Sequence, residues 1–125
     1  MDSALKHFTV RDLPLNRRQQ LGSYLNTEQI LESDTGLARD FRGIAQQLAL
    51  KYADIVKLEK MIDPFGTMLS YQAANKVQLF ELLRMIEHIG RFDVLDDVVP
   101  ELVSDIKLNL INNQRKGLSF FFSLF

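Results

Sequence analysis

Four carboxylates in one short run, Asp93, Asp96, Asp97 and Glu101, are the spacing in this chain that most invites a chemical reading. Such a cluster could hold calcium, but it lacks the ligand order and central glycine of an EF-hand loop. Acidic residues also suit the solvated start of a helix, near the positive end of its dipole, and that reading is preferred. His7 and His88 lie far apart, and neither belongs to a metal-ligand motif. No G-x-S-x-G elbow, Walker A loop or G-x-G-x-x-G turn occurs. The residues therefore lead to an expectation of no enzyme, no metal and no cofactor.

The elements that must position everything else come from a chain of 125 residues, enough for one domain. It is 46% hydrophobic and 25% charged, the balance of an ordinary globular protein. The formal net charge of -1 argues against nucleic acid as the main partner. With no cysteine, disulfides and thiolate zinc sites are excluded, which is compatible with the cytosol. "MDSALKHFTV" has no basic start followed by an apolar run, so no secretory signal is expected. No segment approaches the length needed to span a bilayer, and "GLSFFFSLF" is apolar but short.

Helical spacing dominates. Leu15 to Leu25 reads as a first helix, and Asn26 to Gly36, rich in turn formers, as a loop. Phe41, Ile44, Ala45 and Leu48 form the stripe of a second helix, and Tyr52, Ile55, Leu58 and Ile62 that of a third. Proline inside a helix costs about 3 kcal/mol or more, so Asp63-Pro64-Phe65-Gly66 marks a boundary. Asp63 is then an N-cap and Pro64 the first residue of a fourth helix, with Met68 and Leu69 facing inward. Asn75 is expected to cap a fifth helix, with Gln78 reaching back, and Leu79, Leu82, Leu83 and Ile86 as its core stripe. Gly90 should stop it. A last helix runs from about Phe92 to Ile106, with Pro100 kinking or dividing it. Six short helices imply an all-α bundle with non-parallel packing.

The order of these elements carries a resemblance. Residues 40–72, "DFRGIAQQLALKYADIVKLEKMIDPFGTMLSYQ", followed by "LFELLRMIEHIGRFDVL", closely resemble the death domains of the myeloid differentiation primary response adaptors of Toll and interleukin-1 receptor signalling. The matching features are Asp40-Phe41 opening the second helix, Leu58-Glu59, Asp63-Pro64-x-Gly66, Leu82-Leu83, and Gly90-Arg91-x-Asp93-Val94-Leu95. The resemblance as a whole covers roughly residues 12–107, leaving 1–11 as an N-terminal extension and 108–125 as a C-terminal tail. The family usually has tryptophan where Phe41 stands, so a different local core is expected. Its full adaptors carry a Toll/interleukin-1 receptor domain that these residues do not include, which suggests an excised domain or a shorter relative. The Asn26–Gly36 loop is long for the family, as in its invertebrate members.

The resemblance implies a six-helix death-domain bundle acting as a cytoplasmic adaptor in innate immune signalling. Its partners would be death domains, both copies of itself and those of receptor-associated kinases or intermediary adaptors, in a helical oligomer without nucleic acid or membrane insertion. By analogy, the contact residues are Asp54, Lys57 and Glu59 on helix three, and Glu32, Asp34, Asp63 and Phe65 on the surface opposing it. Arg39 and Arg42 belong to helix two, Tyr71 and Asn75 to one corner, Arg91 and Asp93 to another. Phe65 is expected to be an exposed aromatic anchor, and Arg91 and Asp93 to face solvent. The C-terminal tail is expected to lie outside the bundle. Two alternatives stand beside this reading: a kinase or intermediary-adaptor death domain, and a helix-turn-helix nucleic-acid binder. Glu81 and Glu87 on the fifth helix disfavour the latter.

Overall fold

Asp40 and Asp63 each open a helix by accepting a backbone N–H into the side-chain carboxylate, from Arg42 and from Gly66 respectively. These caps help to divide a computed structural model that describes residues 7–108 and whose regular elements are helices. Among them are seven α-helices and one 3-10 turn, with no strand beyond an isolated bridge between Thr9 and Gln78. The helices are α1 Leu15–Leu25, α2 Phe41–Gln47, α3 Tyr52–Glu59, α4 Pro64–Leu69, α5 Gln72–Asn75, α6 Leu79–His88 and α7 Phe92–Lys107. The expected tail falls outside the described residues, apart from Leu108.

α4 is the short central element and packs against α1, α2, α3 and α5, while α7 lies against α1 and α6. Leu21 and Leu25 of α1, Met68 and Leu69 of α4, and Leu82 and Leu83 of α6 meet in a single buried core. α1 and α7 run antiparallel, since Arg17 pairs with Glu101 and Asp105 whereas Tyr24 donates to Asp97. Hydrophobic packing of amphipathic faces, rather than intrinsic propensity, is what stabilises helices this short.

Several expectations are corrected. Asn75 does not begin the long helix; it ends the extra helix α5, and Gln78 precedes α6 without a side-chain cap. Part of that capping need is met by backbone from a distant segment: the Leu79 N–H donates to the Phe8 carbonyl at 2.9 Å, and the Val10 N–H, donating to the Val77 carbonyl at 2.7 Å, ties the two segments together. Phe8 and Val10 are buried, so the packed unit begins before residue 12. Ile62 leaves the α3 stripe because α3 ends at Glu59, and it stands fully in solvent. Pro100 lies inside α7 without dividing it. The proline is exposed, so the carbonyl that its missing N–H would have engaged is on the side water can reach.

Two helices end in the same way with different residues. At the end of α6, Gly90 has φ 74, its N–H donates to Glu87 and the Arg91 N–H to Ile86. At the end of α2, Ala49 takes the equivalent place at φ 60, donating to Gln46 while Leu50 donates to Ala45. Both are Schellman turns, but only glycine reaches this backbone region without steric cost. Ala49→Gly should therefore raise unfolding stability by about 0.5–1 kcal/mol, because the relieved left-handed strain exceeds the added chain entropy. Urea denaturation checks this, and a loss of stability would show that the alanine is unstrained.

Candidate interaction surface around the helix corners

The Asp63-Pro64-Phe65-Gly66 corner is a joint between α1 and α4. The Asp63 carboxylate accepts the Gly66 N–H at 3.0 Å and the Asn26 side-chain amide at 2.7 Å. The same Asn26 amide accepts the Phe65 N–H through its oxygen at 2.7 Å. Pro64 occupies the first helical turn, where its missing donor costs nothing. At Gly66 a Cβ would stand 2.1 Å from the Asp63 carboxylate oxygen, so a side chain there would push the capping carboxylate aside. Gly22 faces the joint from α1, where a Cβ would meet the Asn26 amide nitrogen at 3.1 Å.

This geometry overturns the expected role of Phe65. Its side chain is 0% exposed and belongs to the core, because the capped first turn of α4 directs it beneath the corner. The surface at the corner is made instead by Met61 and Ile62, both exposed, which precede Asp63. Asp63 itself is exposed but committed to the joint.

Behind the corner lies a charged hub. Asp40 is fully buried and accepts from the Gln29 backbone, from the Arg42 backbone, and from the Arg42 guanidinium at 2.7 and 3.0 Å. Arg42 also approaches Glu28 at 3.5 Å and Glu59 at 3.7 Å. Its hydrogen bond to Asp40 raises its pKa above the ordinary value, so the charge is permanent. A buried carboxylate held by a guanidinium and two backbone donors is compensated, whereas removing Arg42 would strand it. A shallow cleft of about 200 Å³ opens beside the hub, lined by Glu28, Arg42, Glu59, Met61 and Ile62 among others.

Arg91 is the second correction. It is 6% exposed, not solvated, and its guanidinium donates to the Asp93 carboxylate at 3.1 Å and to the Arg39 carbonyl at 2.7 Å. The turn after Gly90 folds it inward under the α1–α2 loop. Asp93 stays exposed, and the hydrogen bond from Arg91 holds its carboxyl below the usual range.

The remaining expected contact residues are scattered around these features. Glu32 and Asp34 are exposed on the α1–α2 loop, and Arg39 is half-buried at its end. Lys57 is exposed on α3, Asp54 is half-buried, and Glu59 lies within reach of Arg42. Tyr71 caps the start of α5 and Asn75 ends it; both are half-buried, with Tyr71 packed on the core. The structure thus brings Arg42, Glu59 and Asp63 near one corner and places Arg39 with Arg91 and Asp93 at another. It joins neither group to Tyr71 or Asn75 through any described polar contact.

Residues missed in the sequence supply most of the exposed apolar surface. Ile30 is 95% and Ile62 103% exposed, with Leu31 and Tyr52 also largely in solvent. The signal was available: Ile30-Leu31 stands among turn formers and charges, where no amphipathic stripe could bury it. Along α3 and its C-cap Lys60, Tyr52, Ala53, Val56, Lys57 and Lys60 share an arc of about 140° at 100° per residue, and exposed Glu59, which reaches Arg42, stands about 20° beyond its edge. All are exposed except half-buried Val56, and the arc contains no acid.

No described helix is long and apolar enough to cross a membrane. No protein-family model matches the chain, and no solved structure matches it.

Phe65→Ala should cost about 3–5 kcal/mol of folding stability, as for other buried phenylalanines. Chemical denaturation checks it; a cost below about 1 kcal/mol would return Phe65 to the surface.

Proposed function

We propose that the chain is a cytosolic death-domain adaptor module that works by head-to-tail assembly in Toll/interleukin-1 receptor innate immune signalling. Its partners are copies of itself and the death domains of receptor-associated kinases or intermediary adaptors. The reading is supported by the six longer helices, α1 to α4, α6 and α7, arranged in the order the resemblance implies, and by the rigid Asp-Pro-x-Gly corner.

The observation that carries it is a division of charge over apolar surface. The α1–α2 loop presents Ile30 and Leu31 among Glu28, Glu32 and Asp34. The outer face of α3 presents Tyr52 and Val56 with Lys57 and Lys60 and no acid in the arc. Each surface has apolar anchors to desolvate and a charge that the other can match. Because the two lie on different parts of one molecule, their contact is heterologous and leaves a free surface at each end, so copies can add without closing a ring. The same surfaces would accept a related death domain at either end.

Charge reversal separates the two ends. Lys57→Glu/Lys60→Glu and Glu32→Lys/Asp34→Lys should each abolish self-association in sedimentation velocity while leaving the melting temperature near wild type. Mixed together, each variant keeps one native surface, and the two reversed surfaces are opposite in charge to each other, so the mixture should recover association. Unchanged assembly in either variant, or a mixture that stays monomeric, would contradict the head-to-tail arrangement.

A further inference from the structure

The α1–α2 loop is held chiefly by polar contacts, and they come from two sources. Ile30 and Leu31 are exposed, and within the loop only Leu37 packs partly on the core. The near half is pinned to the hub through the Gln29 N–H and the Asp40 carboxylate. The far half turns on itself, with Ser33 donating from its backbone and hydroxyl to the Leu37 carbonyl and Gly36 donating back to Ser33. It is then fastened to the α6–α7 turn. Thr35 donates to the His88 carbonyl at 3.3 Å, Arg39 to the Gly90 carbonyl at 3.4 Å, and Arg91 to the Arg39 carbonyl at 2.7 Å. The last contact is the shortest and comes from a buried guanidinium whose Nε and Nη2 also donate to Asp93.

Asp93 is the outward end of this connection, with a side chain 57% exposed. A carboxylate that both holds a buried guanidinium and faces solvent can be reached by a second cation. We propose that the α6–α7 turn controls presentation of the α1–α2 loop: a partner that engages Asp93 draws Arg91 from the Arg39 carbonyl and loosens the far half of the loop. The two corners are then one coupled unit, and by linkage a partner seated on the loop alters the availability of Asp93 in return. Arg91 is a positioning residue in this scheme, acting through the backbone of Arg39. The inference deepens the assembly reading, since the loop carries one of its two surfaces.

Amide hydrogen exchange on the dilute monomer tests the latch without requiring assembly, so either idea can fail alone. Two variants are needed. Asp93→Asn removes the outer charge from an exposed position, and Arg91→Lys keeps the charge but loses the fork. In both, exchange at the Ser33 and Gly36 amides should quicken by about tenfold, within the usual span of coupling between sites. The Gln29 amide, held by Asp40, and the Leu82 amide in α6 should be unchanged. Unaltered loop exchange would overturn the proposal, as would equal acceleration at Leu82, which would make Arg91 a general support of the fold. A response in only one variant would also overturn it, because the path from Asp93 through Arg91 would then be broken.

Discussion

One side-chain amide, that of Asn26, fixes the angle between two helices. Its nitrogen donates to the carboxylate that caps α4, and its oxygen accepts the N–H of Phe65 in the first turn of the same helix. Both ends of the amide are thus spent on one corner, and the two helices cannot rotate independently without stranding a donor or an acceptor. Phe65 enters the core because of this, and α4 in turn meets α1, α2, α3 and α5. A six-residue helix could not hold that place by its own hydrogen bonds, since helices this short are marginal in water.

The rigid corner has a consequence for the surface. Met61 and Ile62 precede Asp63 and take their positions from the joint, while Glu28, only two residues beyond Asn26, reaches Arg42. The hub around Asp40 and the joint around Asp63 therefore stand back to back, one setting the start of α2 and the other the start of α4. Their polar groups are satisfied, the Asp40 carboxylate in the interior and the Asp63 carboxylate at the surface, and no buried side-chain nitrogen or oxygen among the described residues lacks a partner. What is left outward is apolar and lysine-rich on α3 and apolar and acidic on the loop. Surfaces held in this way lose little conformational freedom when they meet a partner, which favours association.

Much of the helical layout was legible in the sequence because it follows from local rules. α1 appears at its expected bounds, the Asp63-Pro64 boundary follows from proline's missing donor, and Gly90 stops α6 through its positive φ. The errors share another cause. By analogy Phe65 is an exposed contact residue, whereas its N–H is held by Asn26, a residue 39 positions away, and its side chain is buried. Arg91 follows a helix-stopping glycine and so reads as exposed, but the carbonyl it seeks belongs to Arg39, 52 positions away. Asn75 and Gln78 match a capping box by spacing, yet the first donor of α6, the Leu79 N–H, goes to the Phe8 carbonyl instead. Local spacing cannot report contacts of that range. Of the candidate surface, Glu32, Asp34 and Lys57 were legible by type, and Ile30 and Leu31 as residues that no stripe could bury, whereas Glu28 and Lys60 were not singled out and Ile62 required knowing that α3 ends at Glu59.

The claim on which the rest stands is that Asn26 and Asp63 act as one joint, and a double-mutant cycle measures it directly. Stabilities of Asn26→Ala, Asp63→Ala and the double variant, from urea unfolding, give their coupling. The structure predicts at least about 1 kcal/mol, as for residues sharing one hydrogen-bond network. Additivity within about 0.3 kcal/mol would mean that the helices are set by apolar packing alone and that the corner is an accident of it.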